Sequence, residues 1–146
     1  MKRVLVDANV LISGSCSPTG ASWAVLVMAE VGMFRMVVTR QILDESERNL
    51  RSKFPSALPE FAEILARSKP EILLDPGPEA SARWYTLIHV NDAPILEAAV
   101  TSRVDRIISL NTRHFTPHLA VEIGIPIQTP EQFVQELRSI ITEGLD

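Results

Sequence analysis

The sequence predicts an α/β domain: a three-layer α/β/α sandwich around a central, mainly parallel five-stranded sheet. Three observations predict it. Five short apolar runs of strand length recur along the chain. Segments with helical spacing or helix start signals separate them, which is the pattern of βαβ units. The runs are also continuously apolar rather than alternating, as in strands covered on both faces.

The elements follow in order. The strand-like runs are "RVLVD" at 3–7, "RMVVT" at 35–39, "EILL" at 71–74, "RIISL" at 106–110 and "IPIQ" at 125–128. "ASWAVLVMAEVG" at 21–32 is apolar nearly all round and reads as a buried helix stopped by Gly32. "TRQILDESERNLRSKF" at 39–54 has Thr39 as N-cap and an apolar stripe of Leu43, Leu50 and Phe54. "PEFAEILARS" at 59–68 opens with Pro, a residue suited to a first helical turn. "DAPILEAAVTSR" at 92–103 and "TPEQFVQELRSIITE" at 129–143 each open with Asp or Thr followed closely by Pro. "GPEASARWYTLIHV" at 77–90, set off by Pro76 and Pro78, reads as either a short helix or an extended connection.

Length and composition set the frame. A chain of 146 residues suits a single domain over 1–146. At this size folding buries roughly 70% of the unfolded surface, so no disulfide or structural metal is needed. The one cysteine, Cys16, excludes an internal disulfide framework and argues against a cysteine zinc site. It lies in turn-rich "SGSCSPTG" with no partner signature of a nucleophile. No apolar run reaches the roughly 18 residues of a membrane span, and the chain enters a strand at once, so a cytoplasmic location is expected. A net charge of −4 argues against a broad basic nucleic-acid surface. It leaves room for a nucleic-acid enzyme, because carboxylates that hold a metal make a chain acidic while the metal attracts phosphate.

The candidate site begins at Asp7, an acid at the end of a buried strand. In open α/β sheets ligands bind beyond the carboxyl ends of strands, where strand order reverses. Asp7 stands at such an end, and so does Asn111, just after "IISL". Asp7 also suits a capping or turn role. Glu45 in "ILDESERNL" lies away from the apolar stripe and belongs either to a solvated face or to a site. Asp92 in "HVNDAPIL" suits a helix start, where the dipole favours an acid, and could also point into a cleft. Asn111 could close a turn, and neighbouring His114 is a candidate for touching substrate phosphate. Three acids gathered at a sheet edge repel one another and make physical sense with a divalent cation between them. Such a cation can activate water and neutralise phosphodiester oxygens. Mg²⁺ in particular takes one or two carboxylates and keeps waters.

These residues carry a resemblance. "VLVDANVLIS", "VVTRQILDESERNL" and "NDAPILEAAVTSRVDRIISLNTRHF" together resemble the PIN-domain family, and within it the VapC-like toxins of toxin–antitoxin systems. The resemblance implies strand order 3-2-1-4-5, which would set Asp7 beside the Asn111 region. It implies that Asp7, Glu45, Asp92 and Asn111 form the catalytic and metal-holding set for Mg²⁺ or Mn²⁺. Asn111 stands where the family commonly has Asp, within Ser109-Leu110-Asn111 in place of Thr-Gly-Asp, so one charge is missing. Asn9, Ser13 and Ser109 are candidates for orienting these groups, and Arg48, Arg113 and His114 for contacting phosphate. The implied function is a metal-dependent endoribonuclease acting on RNA and held inactive by an antitoxin protein, with a homodimer compatible with the apolar 21–32 helix. Two other readings stay open. One is a non-catalytic interaction module, suggested by Asn111. The other is an aspartyl-phosphate enzyme or receiver using Asp7, which lacks the second acid of an Asp-x-Asp pattern.

Overall fold

The structure is a computed structural model and describes residues 1–145. Five parallel strands form one sheet in the order β3-β2-β1-β4-β5, as expected. They are β1 (Arg3–Val6), β2 (Arg35–Thr39), β3 (Glu71–Leu73), β4 (Arg106–Ile108) and β5 (Ile127–Gln128). Eight helices connect and follow them: α1 (Ala8–Cys16), α2 (Ala21–Glu30), α3 (Arg40–Lys53), α4 (Leu58–Ser68), α5 (Pro78–Ser81), α6 (Ala93–Ser102), α7 (Pro117–Ile123) and α8 (Pro130–Leu145).

The chain winds from β1 through β2 to β3 on one side of the sheet's centre, then crosses back to β4 and β5. Right-handed crossovers therefore place α1–α4 on one face and α6 and α7 on the other. The contacts agree. Helix α1 packs on α2, α3 and α4, α8 returns to pack on α2, and α5 packs on α6. Burial follows strand position. Val4, Leu5 and Val6 of central β1 and Ile107 and Ile108 of β4 are wholly buried, while Ile72 of edge strand β3 is 45% exposed.

Local sequence explains most element boundaries. Thr39 caps α3 as expected, its Oγ1 accepting from Ile42 N at 3.1 Å. Helix α2 stops at Glu30, and Gly32, two residues on, takes φ +83°, a left-handed conformation that a side chain would strain. Helix α1, entered directly from Asp7, and helix α7 had no counterpart in the sequence reading. The second carries the same kind of start signal, Thr116 accepting from Leu119 N at 3.1 Å with Pro117 in the first turn.

Three expectations need correction. The buried stripe of α3 is Ile42, Ser46 and Leu50, not Leu43, Leu50 and Phe54. Pro55 disfavours helical backbone at the residue before it, so Phe54 leaves the helix with φ −139° and ψ 59° and is 48% exposed. Helix α2 is half-buried rather than enclosed, with only Ser22, Val25, Leu26 and Ala29 fully inside. The β4 run ends at Ile108, because Ser109 and its neighbours are drawn into the site.

The stretch that resisted reading, 77–90, is short helix α5, a 3-10 turn over Ala82–Trp84, and further turns. Tertiary contacts hold it. Glu97 of α6, buried, accepts from Arg83 Nε at 2.6 Å, Trp84 Nε1 at 2.8 Å and Thr101 Oγ1 at 3.0 Å. Among the described residues no single helix is long and apolar enough to cross a membrane.

Helices α1 and α2 approach closely at Gly14. A Cβ there would lie 2.4 Å from Leu26 Cδ1 and 3.2 Å from Ser22 O, and Leu26 is wholly buried. Gly14→Ala therefore overpacks the interface at a cost of about 1–3 kcal/mol, against a helix-propensity gain of roughly 1. We expect a net loss of about 1 kcal/mol in urea unfolding; a gain would show that the two helices separate freely.

Candidate active site at the carboxyl ends of β1 and β4

The register of the two central strands builds the site. Val6 of β1 pairs with Ile108 of β4, so the next residues, Asp7 and Ser109, stand level. Asp7 N continues the ladder by donating to Ile108 O at 3.0 Å. Asp7 is 5% exposed and Ser109 2%. Ser109 Oγ donates to Asp7 Oδ2 at 2.8 Å, while Asp7 Oδ1 accepts from Ala8 N at 2.8 Å at the start of α1. Asp7 thus caps a helix and holds a carboxylate at the strand exit.

Asn9 ties the two strand ends together. Its Nδ2 lies 3.3 Å from both Asp7 Oδ2 and Ser109 Oγ, and its Oδ1 accepts from Leu110 N at 3.0 Å. Asn9 and Ser109 thus both hydrogen-bond Asp7 Oδ2. Ser13 lies in α1, and no hydrogen bond links its hydroxyl to Asp7 among the described residues.

Asp92 occupies the N-cap position of α6 but makes no side-chain capping bond. Its carboxylate faces His114, with Oδ2 2.5 Å from His114 Nδ1. The dipole of α6 still favours the charge there. Asn111 donates its backbone N–H to Ser109 Oγ at 3.0 Å, and its Oδ1 accepts from His114 N at 3.4 Å. The turn role weighed for Asn111 is thus realised, and its carbonyl is engaged locally.

Glu45 projects from α3 and is exposed overall, as the helical wheel implied. Its carboxyl nevertheless senses the other acids. Partial burial raises its pKa above the ordinary value, and the charges of Asp7 and then Asp92 raise it further. Arg48, one turn along, opposes this and is the weakest of the four influences. Burial likewise pushes Asp7 up, the Asp92 charge adds to it, and the bonds from Ser109, Ala8 and Asn9 pull the other way. The fold therefore gathers Asp7, Glu45 and Asp92 into one electrostatic unit, short of positive charge.

The donor chemistry is that of hard oxygen ligands, suited to Mg²⁺ or Mn²⁺. Asp7, Glu45 and Asp92 are the groups that could hold such a cation. Among the described residues no group of three Asp, Glu, His or Cys side chains is gathered tightly enough to enclose an ion. The arrangement therefore fits a cation held by one or two carboxylates and waters better than a closed protein cage. Arg113 is exposed at the rim, beside His114.

One residue escaped the sequence reading. His89 stacks on His114, ring centroids 5.3 Å apart and planes within 2°. Its place in "HVND", three residues before Asp92, was the available signal, but the irregular backbone around it hid the juxtaposition.

Fold and site together define an α/β/α domain with an acidic cleft at the switch point of its sheet. Residues 3–113 match the sequence profile of the PIN domain, and the chain belongs to the PIN-domain family. Solved structures share the fold at low identity. VapBC2 from Rickettsia felis, bound to a DNA fragment from its promoter, is 13% identical with TM-score 0.63, covering 87% of this chain and 98% of that one. PAE2754 from Pyrobaculum aerophilum is 15% identical with TM-score 0.65, covering 94% and 90%. FitAcB from Neisseria gonorrhoeae is 18% identical with TM-score 0.63, covering 87% and 97%. No curated protein sequence matches significantly.

The raised pKa of Asp7 has a definite consequence. The native state keeps this proton to higher pH than the unfolded chain does. Stability from this group is therefore complete below the unfolded carboxylate range, near pH 4, and is lost as pH rises through the native value. In metal-free buffer, Asp7→Asn should melt higher than wild type at pH 7–8, by on the order of a few degrees. The difference should shrink towards pH 4. A constant difference across pH would show that Asp7 carries no linked proton.

Proposed function

We propose that this protein is a metal-dependent endoribonuclease and the toxin component of a toxin–antitoxin pair. The observation that carries the reading is the buried Asp7 at the exit of the central strands, oriented by Ser109 and Asn9, with the charge of Asp92 raising its pKa and its own charge raising that of Glu45. Such an arrangement is stable in use when a cation and a phosphate share the cleft. Bound there, Mg²⁺ or Mn²⁺ would supply Lewis-acid stabilisation of phosphate oxygens and a water of lowered pKa.

The chain's own residues do the rest. Ser109 and Asn9 hold Asp7 in one rotamer, so its oxygens are aimed before substrate arrives. Asp92 makes no capping bond to its own helix and meets His114 instead. Arg48, one turn from Glu45, and Arg113, exposed at the rim, would attract the RNA backbone towards acids that otherwise repel it. His114 orients Asp92 through its Nδ1.

The toxin role rests on the VapC-like pattern of the sequence and on the fold shared with VapBC2 and FitAcB. An antitoxin segment bearing Arg or Lys, laid over the acidic cleft, would match its charge. A second reading, a PIN fold kept for binding without catalysis, is favoured by Asn111, whose carbonyl is taken up by a turn. The aspartyl-phosphate reading draws no support from a second acid, since Asn9 stands two residues after Asp7.

A cleavage assay on structured and unstructured RNAs decides between them. With Mg²⁺ or Mn²⁺ the wild type should cut, and chelator should stop it. Asp7→Asn and Asp92→Asn should each lose more than about 100-fold, and Ser109→Ala about 10–100-fold. Cleavage that survived chelator and both acid substitutions would sink the metal-site reading. No cleavage, together with no Mn²⁺ binding by calorimetry, would favour the binding module.

A further inference from the structure

We propose that the groove beside Asp92 is a subsite that stacks an unpaired RNA base on His89 and pairs its phosphate with Arg113. The proposal rests on the ribonuclease reading for its choice of ligand. The groove is open, about 380 Å³, and its lining includes Tyr85, Leu87, His89, Arg113 and His114.

Charge favours this occupant. The chain carries −4 overall and its cleft is acidic, yet no lining residue of this groove is an acid. It offers the Arg113 guanidinium next to the carboxylates, so a polyanion reaching the cleft meets one attractive group here. Surface chemistry favours it too. Tyr85 is 43% exposed and Leu87 39%, and His89 and Arg113 are also exposed. One face of His89 lies parallel to His114, and His89 is exposed to solvent. Aromatic faces beside an Arg are the usual platform for single-stranded bases, whereas a base within a duplex has no free face to offer.

The platform is also preorganised. Leu87 N and Ile88 N both donate to Trp84 O, at 2.9 and 3.0 Å, and Ile88 is buried in the core. Asp92 N and Ala93 N both donate to His89 O, at 2.9 and 3.1 Å. Gln41 Nε2 donates to Asn91 O at 2.7 Å, pinning the turn to α3. The ring itself accepts from Asn91 N through Nδ1 at 3.1 Å, so it loses little further freedom when a base stacks on it. Because His114 contacts Asp92, a nucleotide in the groove adjoins the acidic centre.

The test is fluorescence anisotropy with a labelled single-stranded RNA octamer, an abasic version of it and its duplex, all with chelator present. The wild type should prefer the intact single strand over both others. His89→Ala should weaken single-strand binding about tenfold and erase the preference over the abasic strand. His89→Phe should keep that preference, since it retains an aromatic face. Arg113→Ala should weaken intact and abasic strands alike. The proposal is overturned if the wild type binds no single strand, if duplex binds as well, or if His89→Ala and His89→Phe behave the same. Should His89→Ala not fold, equal wild-type affinity for intact and abasic strands overturns it on its own. Base-dependent binding in a chain that never cleaves RNA would sink the ribonuclease reading and leave the subsite standing. Cleavage with a KM untouched by His89→Ala would do the reverse.

Discussion

Everything distinctive in this protein depends on the pairing of β1 with β4. These two strands are the centre of the sheet, and their register sets Asp7 level with Ser109. Strand connections leave this pair in opposite directions, so no crossover covers its carboxyl ends. A crevice must open there. The carboxylate at its floor is buried, oriented by three protein donors and under repulsion from two other acids. Had the register slipped by one residue, Asp7 and Ser109 would no longer stand opposite each other.

The site combines rigid and adaptable parts. Asp7 is locked by Ser109, Asn9 and the first amide of α1. Glu45 extends from an exposed helix face, and Asp92 engages a histidine rather than its own helix. The missing fourth acid fits this division, since Asn111 shapes the turn that carries His114 and Arg113 instead of adding charge. Acidic and basic side chains are thereby separated along one cleft.

Several parts of this were legible residue by residue. Five apolar runs place the strands to within a few positions; β1, β2 and β4 are buried and leave no polar alternation, while edge strands β3 and β5 are only partly covered. Thr39 announced the start of α3 through its capping hydroxyl, and Gly32 announced the end of α2 through its left-handed backbone. Phe54 was misplaced because Pro55 ended the helix before the apolar period did. Helix α1 is not legible in the sequence because Asp7 reads as a strand end and helix start at once. The 77–90 segment stayed unreadable because its conformation is held by Glu97, a residue of another helix.

The sequence by itself determined that the chain is an α/β domain, which residues could be its acids, and that their pattern resembles PIN domains. Those facts follow from periodicity, caps and residue chemistry, all of which act over a few neighbouring positions. Only the tertiary structure decided that Asp92 turns from its helix to His114, that Asn111 spends its carbonyl on a turn, and that His89 stacks beside them. The physical reason is distance along the chain. Asp7 and Ser109 lie 102 residues apart, and Asp92 and His114 lie 22 apart. Their meeting is set by strand register and layer packing, which no local pattern encodes.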